Sequence, residues 1–293
     1  MSDAPRPAGT LFVVATPIGN LEDITLRAIR VLKAVAAVAA EDTRRTVNLL
    51  RHYGITTPLV SLHEHNERHR AEQLVARLGR GESIALVSDA GTPGISDPGA
   101  DFVRAARAAG VRVDPVPGPS AVTAALSASG VSFERYAFAG FPPTRGNTRN
   151  KWFDWVDGLA DVPVVCFEAP HRIVKTLQEC RTKLVDRPII VARELTKLHE
   201  TWLFLFNDQN MTPEPVPERG EFVFILGPRQ ALEAEQSLPR PTDRDIAVDF
   251  GQLTAVRAHG SRREAIKAVA TRLGLPTKAV YDALERVKKA SQT

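Results

Sequence analysis

Ile84-Ala85-Leu86-Val87-Ser88-Asp89-Ala90-Gly91-Thr92-Pro93-Gly94-Ile95-Ser96-Asp97-Pro98-Gly99 is an apolar run that breaks into a loop of glycines, prolines and aspartates. The run reads as a short buried strand. Behind it, glycines permit positive φ and close approach of a ligand to the backbone. Prolines stiffen the turn, and an aspartate at the C-terminal edge of a strand can bind the polar hydrogens of a nucleoside. The plainer alternative is a tight strand-to-helix connection whose Asp97 caps the next helix. Both readings make this stretch one unit of an α/β sheet.

The same unit recurs on either side of it. Leu11 to Ala15 and Val35 to Ala40 read as strands, with a helix through Ile29 between them. Ala71, Leu74, Val75 and Leu78 follow the i, i+3, i+4, i+7 template of a helix, and so do Phe102, Ala105, Ala106 and Ala109, with Gly110 as a stop. Val111 to Val116 is a further strand, leading through Pro117-Gly118-Pro119-Ser120 into an alanine-rich helix that ends near Ser129. The loops Thr16-Pro17-Ile18-Gly19-Asn20, Ser88 to Gly99 and Pro117 to Ala121 would therefore converge at one sheet edge as a nucleoside-sized cleft. None is a G-x-G-x-x-G or a P-loop, which weakens dinucleotide and nucleoside-triphosphate readings.

Beyond Gly130 to Phe133 the pattern changes to strands at Ala137 to Phe141, Val162 to Phe167, Pro188 to Ala192, Thr201 to Phe206 and Phe222 to Leu226. One helix among them carries Ile173, Thr176, Leu177 and Cys180 on a face. This half reads as a mixed-sheet domain. Thr144 to Lys151, with Arg145, Arg149 and Lys151 beside Trp152 and Trp155, reads as a mobile basic loop, either touching nucleic acid or solvated over core tryptophans. Gly227 to Asp243 reads as a proline-rich linker to a helical tail, where Ser261 begins a helix that ends near Gly274 and restarts after Pro276. That tail is either a helix-turn-helix or a simple helical hairpin.

The totals set bounds. With 293 residues, 43% hydrophobic and 25% charged, the chain falls in the globular range and is long enough for two domains and an appendage. No apolar run approaches the ~20 residues of a membrane span, and the N-terminus lacks the apolar segment of a signal peptide, so a cytoplasmic protein is expected. Cys166 and Cys180 have no metal-ligand spacing and read as reduced core residues. A net charge of +4 is compatible with a polyanionic partner without requiring one. His63-Glu64-His65 offers ligand types, but neighbours at a strand-to-helix junction point opposite ways, so no metal is expected. Glu64 and Asn66 could organise a substrate, or His65 could cap a helix. Glu41-Asp42-Thr43-Arg44-Arg45 reads as a helix start with Thr43 near the cap, its arginines facing solvent or RNA phosphates.

Taken in order, Thr16 to Thr25, Glu41 to Arg44, Ser61 to Glu67, Ser88 to Gly99, Glu168-Ala169-Pro170-His171-Arg172 and Arg193-Glu194-Leu195-Thr196-Lys197 resemble the ribosomal RNA small subunit methyltransferase I family, an RNA-modifying branch of the tetrapyrrole methylase superfamily. The resemblance runs from about Leu11 to Gly227. It implies two α/β domains (10–130 and 131–228) with a cofactor cleft between them, here followed by a small helical domain (243–293). It further implies S-adenosylmethionine as cofactor, 2'-O-methylation of a cytidine ribose in the decoding region of 16S rRNA, the small ribosomal subunit as partner, and a homodimer.

Carried onto this chain, the resemblance places Pro17 and Gly19 near the cofactor, Asp89, Thr92, Gly94 and Ile95 along it, and Ser120 and Ala121 on a third side. Phe167, Ala169, Leu195 and Ile225 would cover the adenine side from the second domain. The chain departs from the family in having Trp202-Leu203-Phe204-Leu205-Phe206 where a glycine-containing turn is usual. A ribose hydroxyl must be aligned and relieved of its proton. Glu168, His171, Glu194, Lys197 and His199 are available, with Glu168, Glu194 and Lys197 as the expected catalytic set; Glu168 and Glu194 could instead pair with Arg172 and Arg193. A tetrapyrrole acceptor would need an apolar basin that the polar Ser61 to Glu67 and Glu168 to Arg172 loops do not offer, and a non-catalytic ribosome- or DNA-binding factor using the tail is the other alternative.

Overall fold

In the computed structural model, which describes residues 8–63, 66–205, 216–229, 242–256, 262–273 and 275–290, the run Ile84–Val87 is a fully buried strand. Glu64, His65, Phe206, Ser261 and Gly274, given places above, lie outside the described residues. The chain forms two compact units, 1–124 and 125–293.

The first unit alternates strand and helix: β1 (Thr10–Val14), α1 (Leu26–Ala34), β2 (Ala37–Ala40), α2 (Thr43–His52), β3 (Leu59–Ser61), α3 (Glu67–Gly79), β4 (Ile84–Val87), α4 (Ala100–Ala108) and β5 (Arg112–Val116). All five strands are parallel, in the order β3-β2-β4-β1-β5. β2 and β4 are buried along their whole length because helices cover both faces. Leu11, Leu74, Leu78, Phe102 and Ala106 pack on the face of α3 and α4, while Val14, Leu32, Val38, Leu50 and Val87 pack on that of α1 and α2. β4 inserts between β2 and β1 before the chain crosses to β5 on the far side of β1. In open α/β sheets such a reversal is where ligands bind, here at the C-terminal ends of β1 and β4.

α5 (Ala121–Ala128) leads into the second unit, with β6 (Ala137–Phe138), α6 (Gly146–Asp157), β7 (Val164–Glu168), α7 (Ile173–Lys183), β8 (Ile189–Arg193), β9 (Thr201–Leu205) and β10 (Phe222–Leu226). The sheet order is β6-β7-β10-β8-β9, with β10 antiparallel to both β7 and β8. Glu168 and Arg193 flank Phe222 in register, so the C-terminal ends of β6, β7 and β8 lie on one edge. The expected helical face of Ile173, Thr176, Leu177 and Cys180 is buried along α7, and burial raises both thiols, Cys180 to about 12.

The expected basic loop at Thr144 to Lys151 is instead largely the start of α6. Arg149, Trp152, Phe153 and Val156 stand at i, i+3, i+4 and i+7 and are all buried. Arg149 is thus a core residue and not an RNA contact; it donates through Nε to Glu179 (2.6 Å) and through Nη2 to Thr176 Oγ1 (3.0 Å). Three further helices, α8 (Asp243–Val256), α9 (Arg262–Leu273) and α10 (Thr277–Ala290), enclose a small core of Ile246, Ile266, Val269, Val280 and Leu284. Arg262 pairs with Glu285 at 2.8 Å and lies over the Tyr281 ring. Among the described residues no helix is long and apolar enough to cross a membrane.

Arg187, 1% exposed, is the most deeply buried cation among the described residues of the second unit. Its guanidinium donates to the carbonyls of Val156, Leu159, Val162, Leu226 and Gly227 at 2.6–3.2 Å, satisfying groups left over where α6 ends and β10 leaves the sheet. Burial, aided by nearby Arg229, brings its pKa down to about 10, so it stays charged at neutral pH. Arg187→Met leaves these acceptors unpaired and is expected to cost about 3 kcal/mol or more. In urea denaturation this appears as a midpoint lower by about 1 M or more.

Candidate active site

The three loops expected to converge do so at the C-terminal edge of the first sheet. Thr16 and Gly91 exchange backbone hydrogen bonds (2.9 and 3.0 Å), and Thr16 Oγ1 donates to the Ser88 carbonyl. Thr92 Oγ1 donates to the Pro119 carbonyl at 3.2 Å, tying in the loop after β5. Gly91 has φ +78°, and a Cβ there would stand 3.3 Å from Ile18 Cγ2 and 3.7 Å from the Pro119 oxygen. A side chain would crowd the junction of all three loops. Pro17, Gly19, Asp89, Thr92, Gly94, Ile95, Ser120 and Ala121 all lie on these loops, with Gly94 (φ +80°) and Ile95 (43% exposed) open to solvent.

Asp89 is also bound to the start of α2. Its Oδ1 accepts from the Asp42 N–H at 3.1 Å, and Arg45 approaches Oδ2 at 3.4 Å. The cap of α2 is Asp42, with Thr43 next to it as expected, and the hydrogen bonds of Asp42 with Arg44 hold its carboxyl at about 2. Asp97 does not cap α4. That helix follows Gly99 (φ +124°), which has no side chain to offer, and Glu67 from α3 supplies the cap: its Oε1 accepts the N–H groups of Gly99, Asp101 and Phe102 at 2.9–3.2 Å. Nothing in the spacing of Glu67 announces this, because donors and acceptor are more than thirty residues apart. Asp97 is held near 6, raised by burial and by the neighbouring Glu41 and Asp89 against an opposing hydrogen bond from Ser88.

The second sheet presents its own edge. Glu168, with a fully buried side chain, accepts from Thr176 Oγ1 (2.6 Å) and its following Ala169 N–H (2.9 Å) and pairs with Arg172 (3.2 Å). Both oxygens are thereby engaged inside the unit. At the end of β8, Glu194 (φ +55°) and Thr196 (φ +66°) are non-glycine residues in the left-handed region, a costly pair within three positions. Glu194 Oε1 accepts from Lys197 Nζ at 2.9 Å and from the Glu221 N–H at 2.8 Å, and Lys197 also reaches Glu221 at 2.9 Å. Glu194 therefore pairs with Lys197, not Arg193, whose Nε donates to the Arg219 carbonyl. Gly220 has φ +94°, a conformation that favours glycine, and a Cβ there would come within 2.8 Å of the Glu194 side chain and push it from its place.

These contacts separate the charges. The Lys197 hydrogen bond holds the Glu194 carboxyl below its ordinary range, outweighing burial. Burial opposes the Lys197 charge, yet the two carboxylates hold its ammonium above the ordinary range. Phe167 and Ile225 lie on the sheet face opposite Cys166 and Phe224, which pack with α6 and α7. Ile225 is 1% exposed, while Ala169 and Leu195 follow the ends of β7 and β8. Among the described residues no group of three His, Cys, Asp or Glu could hold a metal.

The family model for tetrapyrrole (corrin/porphyrin) methylases matches residues 10–205. Relatives named ribosomal RNA small subunit methyltransferase I are 47% identical in Pseudomonas aeruginosa (86% of this chain, 90% of that protein) and 45% identical in Xylella fastidiosa (93% and 98%). Solved structures of similar fold include diphthine synthase (TM-score 0.58, 15% identity, covering 75% of this chain and 90% of that one) and uroporphyrin-III-C-methyltransferase from Thermus thermophilus (0.50, 22%, 79% and 99%). The chain belongs to the tetrapyrrole methylase family, within its ribosomal RNA small subunit methyltransferase I branch.

The family's methyl donor is S-adenosylmethionine. The first sheet's edge fits it on two counts: Gly94, exposed and with nothing within 4 Å of where a Cβ would stand, leaves its backbone open to a ligand, and Glu41, Asp89 and Asp97 gather carboxylates suited to a sulfonium cation. Glu67→Ala would leave three N–H groups at the start of α4 uncapped and is expected to cost about 2 kcal/mol in urea denaturation, with weaker binding of S-adenosylmethionine by calorimetry. The folded protein holds the Asp97 proton more tightly than the unfolded chain does, so this group costs stability as pH rises from 3.8 to about 6. Asp97→Asn should match wild type near pH 4 and exceed it in urea midpoint at about pH 7, a difference absent if Asp97 ionises freely.

Proposed function

We propose that the protein methylates ribosomal RNA of the small subunit with S-adenosylmethionine, at the 2'-oxygen of a cytidine ribose in the decoding region of 16S rRNA, as a cytoplasmic homodimer. The observation that carries this reading is identity of 45–47% over nearly the whole chain to proteins named for small-subunit rRNA methylation. The polar edge of the second sheet supports it, since His171, Arg172, Glu194 and Lys197 suit a hydrophilic acceptor and offer no apolar basin for a tetrapyrrole. A purely non-catalytic binding factor would have no use for the glycine-lined, acidic loop junction.

When bound, S-adenosylmethionine supplies an electrophilic methyl group. Of the three residues expected to handle the acceptor's proton, Glu168 is engaged within its own unit, so it enters this reading as a scaffold. Glu194 would take the hydroxyl proton as the ribose oxygen gains the methyl group and that carbon's bond to the donor sulfur breaks, its electron pair staying on sulfur as a neutral thioether. An oxygen gaining a methyl group becomes strongly acidic, so a carboxylate held in its anionic form suffices as acceptor. Lys197 and the Glu221 N–H both bind Oε1, which assigns the proton to Oε2. Lys197 acts as a cation that orients Glu194.

The test is transfer of labelled methyl to small subunits lacking the modification, followed by mapping of the labelled ribose. Label on one decoding-region cytidine 2'-oxygen is the expected result; label elsewhere, or none, overturns the substrate. Glu194→Gln should slow single-turnover transfer by about 100-fold or more with cofactor binding retained. An unchanged rate removes Glu194 from the role.

A further inference from the structure

Glu168 stands at the centre of a buried network whose far ends both grip one loop. Its carboxylate binds Arg172, and Arg172 Nη2 donates to the Pro142 carbonyl. Through Thr176 it also meets Arg149, which donates to the Pro143 carbonyl at 2.6 Å. Two buried or half-buried arginines thus hold successive carbonyls of the segment 140–145, which leaves β6 at Gly140 (φ +59°). Within that segment Pro142 is buried, and the one large apolar side chain turned to solvent is Phe141, 51% exposed.

Lone exposed apolar side chains are ordinary at a protein surface; what sets Phe141 apart is the mount that holds it. The Phe141 ring is braced from behind: its centroid lies 5.7 Å from that of Phe167 at an interplanar angle of 61°, and Phe167 in turn meets Phe138 at 5.0 Å and 65°. Edge contacts of this kind fix a ring while leaving its outer face available for stacking. Arg145, exposed four residues on, adds to the same segment a cation of the type that meets phosphate. The mount also shares its sheet edge with Glu194 and Lys197. Glu168 and Arg193 flank the same β10 residue, so the ends of β7 and β8 are two strand spacings apart, about 10 Å.

We infer that Phe141, braced by Phe167, is a stacking platform for an unpaired nucleobase of the RNA substrate. The inference rests on the rRNA-methylation reading and adds to it how the nucleotide is held: the base is withdrawn from its neighbours and stacked on Phe141 while its ribose is presented along the edge toward Glu194. Single-stranded RNA is commonly held in this way, because every base has a face that an aromatic ring can cover. The buried charges at Glu168, Arg149 and Arg172 then serve to keep the platform from folding back onto the sheet.

The experiment compares wild type, Phe141→Ala and Phe141→Trp in methyl transfer to unmodified small subunits, with calorimetric binding of S-adenosylmethionine and tryptophan emission of Phe141→Trp on adding a single-stranded cytidine-containing oligonucleotide. Phe141→Ala should lower kcat/KM for subunits by about 5- to 150-fold, the effect of losing one base–aromatic stack, with cofactor affinity unchanged. Phe141→Trp should restore the rate, and the oligonucleotide should quench its emission beyond the wild-type background. Unchanged kinetics in Phe141→Ala together with unquenched Phe141→Trp overturn the platform. An equal loss in S-adenosylmethionine affinity also overturns it and assigns Phe141 to the cofactor. If wild type labels no RNA yet the oligonucleotide quenches Phe141→Trp, the substrate reading fails and the platform stands; with neither label nor quenching, both fail.

Discussion

Glu67 Oε1 accepts three backbone N–H groups from the first turn of α4 and the glycine before it. The loop from Ser88 to Gly99 bends sharply through Gly91, Gly94 and Gly99, all at positive φ, and its glycines and prolines bring no side chains to satisfy its backbone. Its near end is closed by the Thr16–Gly91 pairing and its far end by this one buried carboxylate. An anion at a helix N-terminus is favoured by the helix dipole as well as by the hydrogen bonds. The far end of the loop therefore depends for its position on a side chain contributed by a different helix.

The same solution recurs in the second unit. Arg187 spends its charge on carbonyls at the end of α6 and beyond β10, and Arg149 and Arg172 spend theirs on the loop after β6. Such groups are expensive to bury and are tolerated because the hydrogen bonds are numerous and charge-assisted. Conspicuous charged residues near a sheet edge thus divide into two kinds. Glu168 and Arg149 are fully absorbed by structure, whereas Glu194 and Lys197 remain partly exposed at the edge, on a backbone with two left-handed residues. Unfavourable backbone held in place by surrounding contacts is a mark of a segment kept for function.

Membership of the methylase family explains the first sheet more completely than the second. The edge at the ends of β1 and β4 carries glycines at positive φ and several carboxylates. At the edge of the second sheet the partly exposed residues are charged or aromatic, the types that meet phosphate, ribose and base.

Much of this was legible along the chain. Strand-loop-helix repetition named the α/β class, the loops at Thr16, Asp89 and Pro117 were expected at one edge, and the face of α7 followed from periodicity alone, because each rests on residues close together in sequence. Arg149 shows the limit: its i, i+3, i+4, i+7 relation to Trp152, Phe153 and Val156 is a helical signal, but nearby glycine and polar residues suggested a loop. Only tertiary structure decided that Glu67 caps α4, that Glu168 serves the Phe141 loop and that Glu194 pairs with Lys197 and not with Arg193. Local sequence determines which backbone will be regular and which side chains are available. Which donor meets which acceptor across tens of residues depends on how the strands are ordered, and that order is set by the packing of the whole sheet.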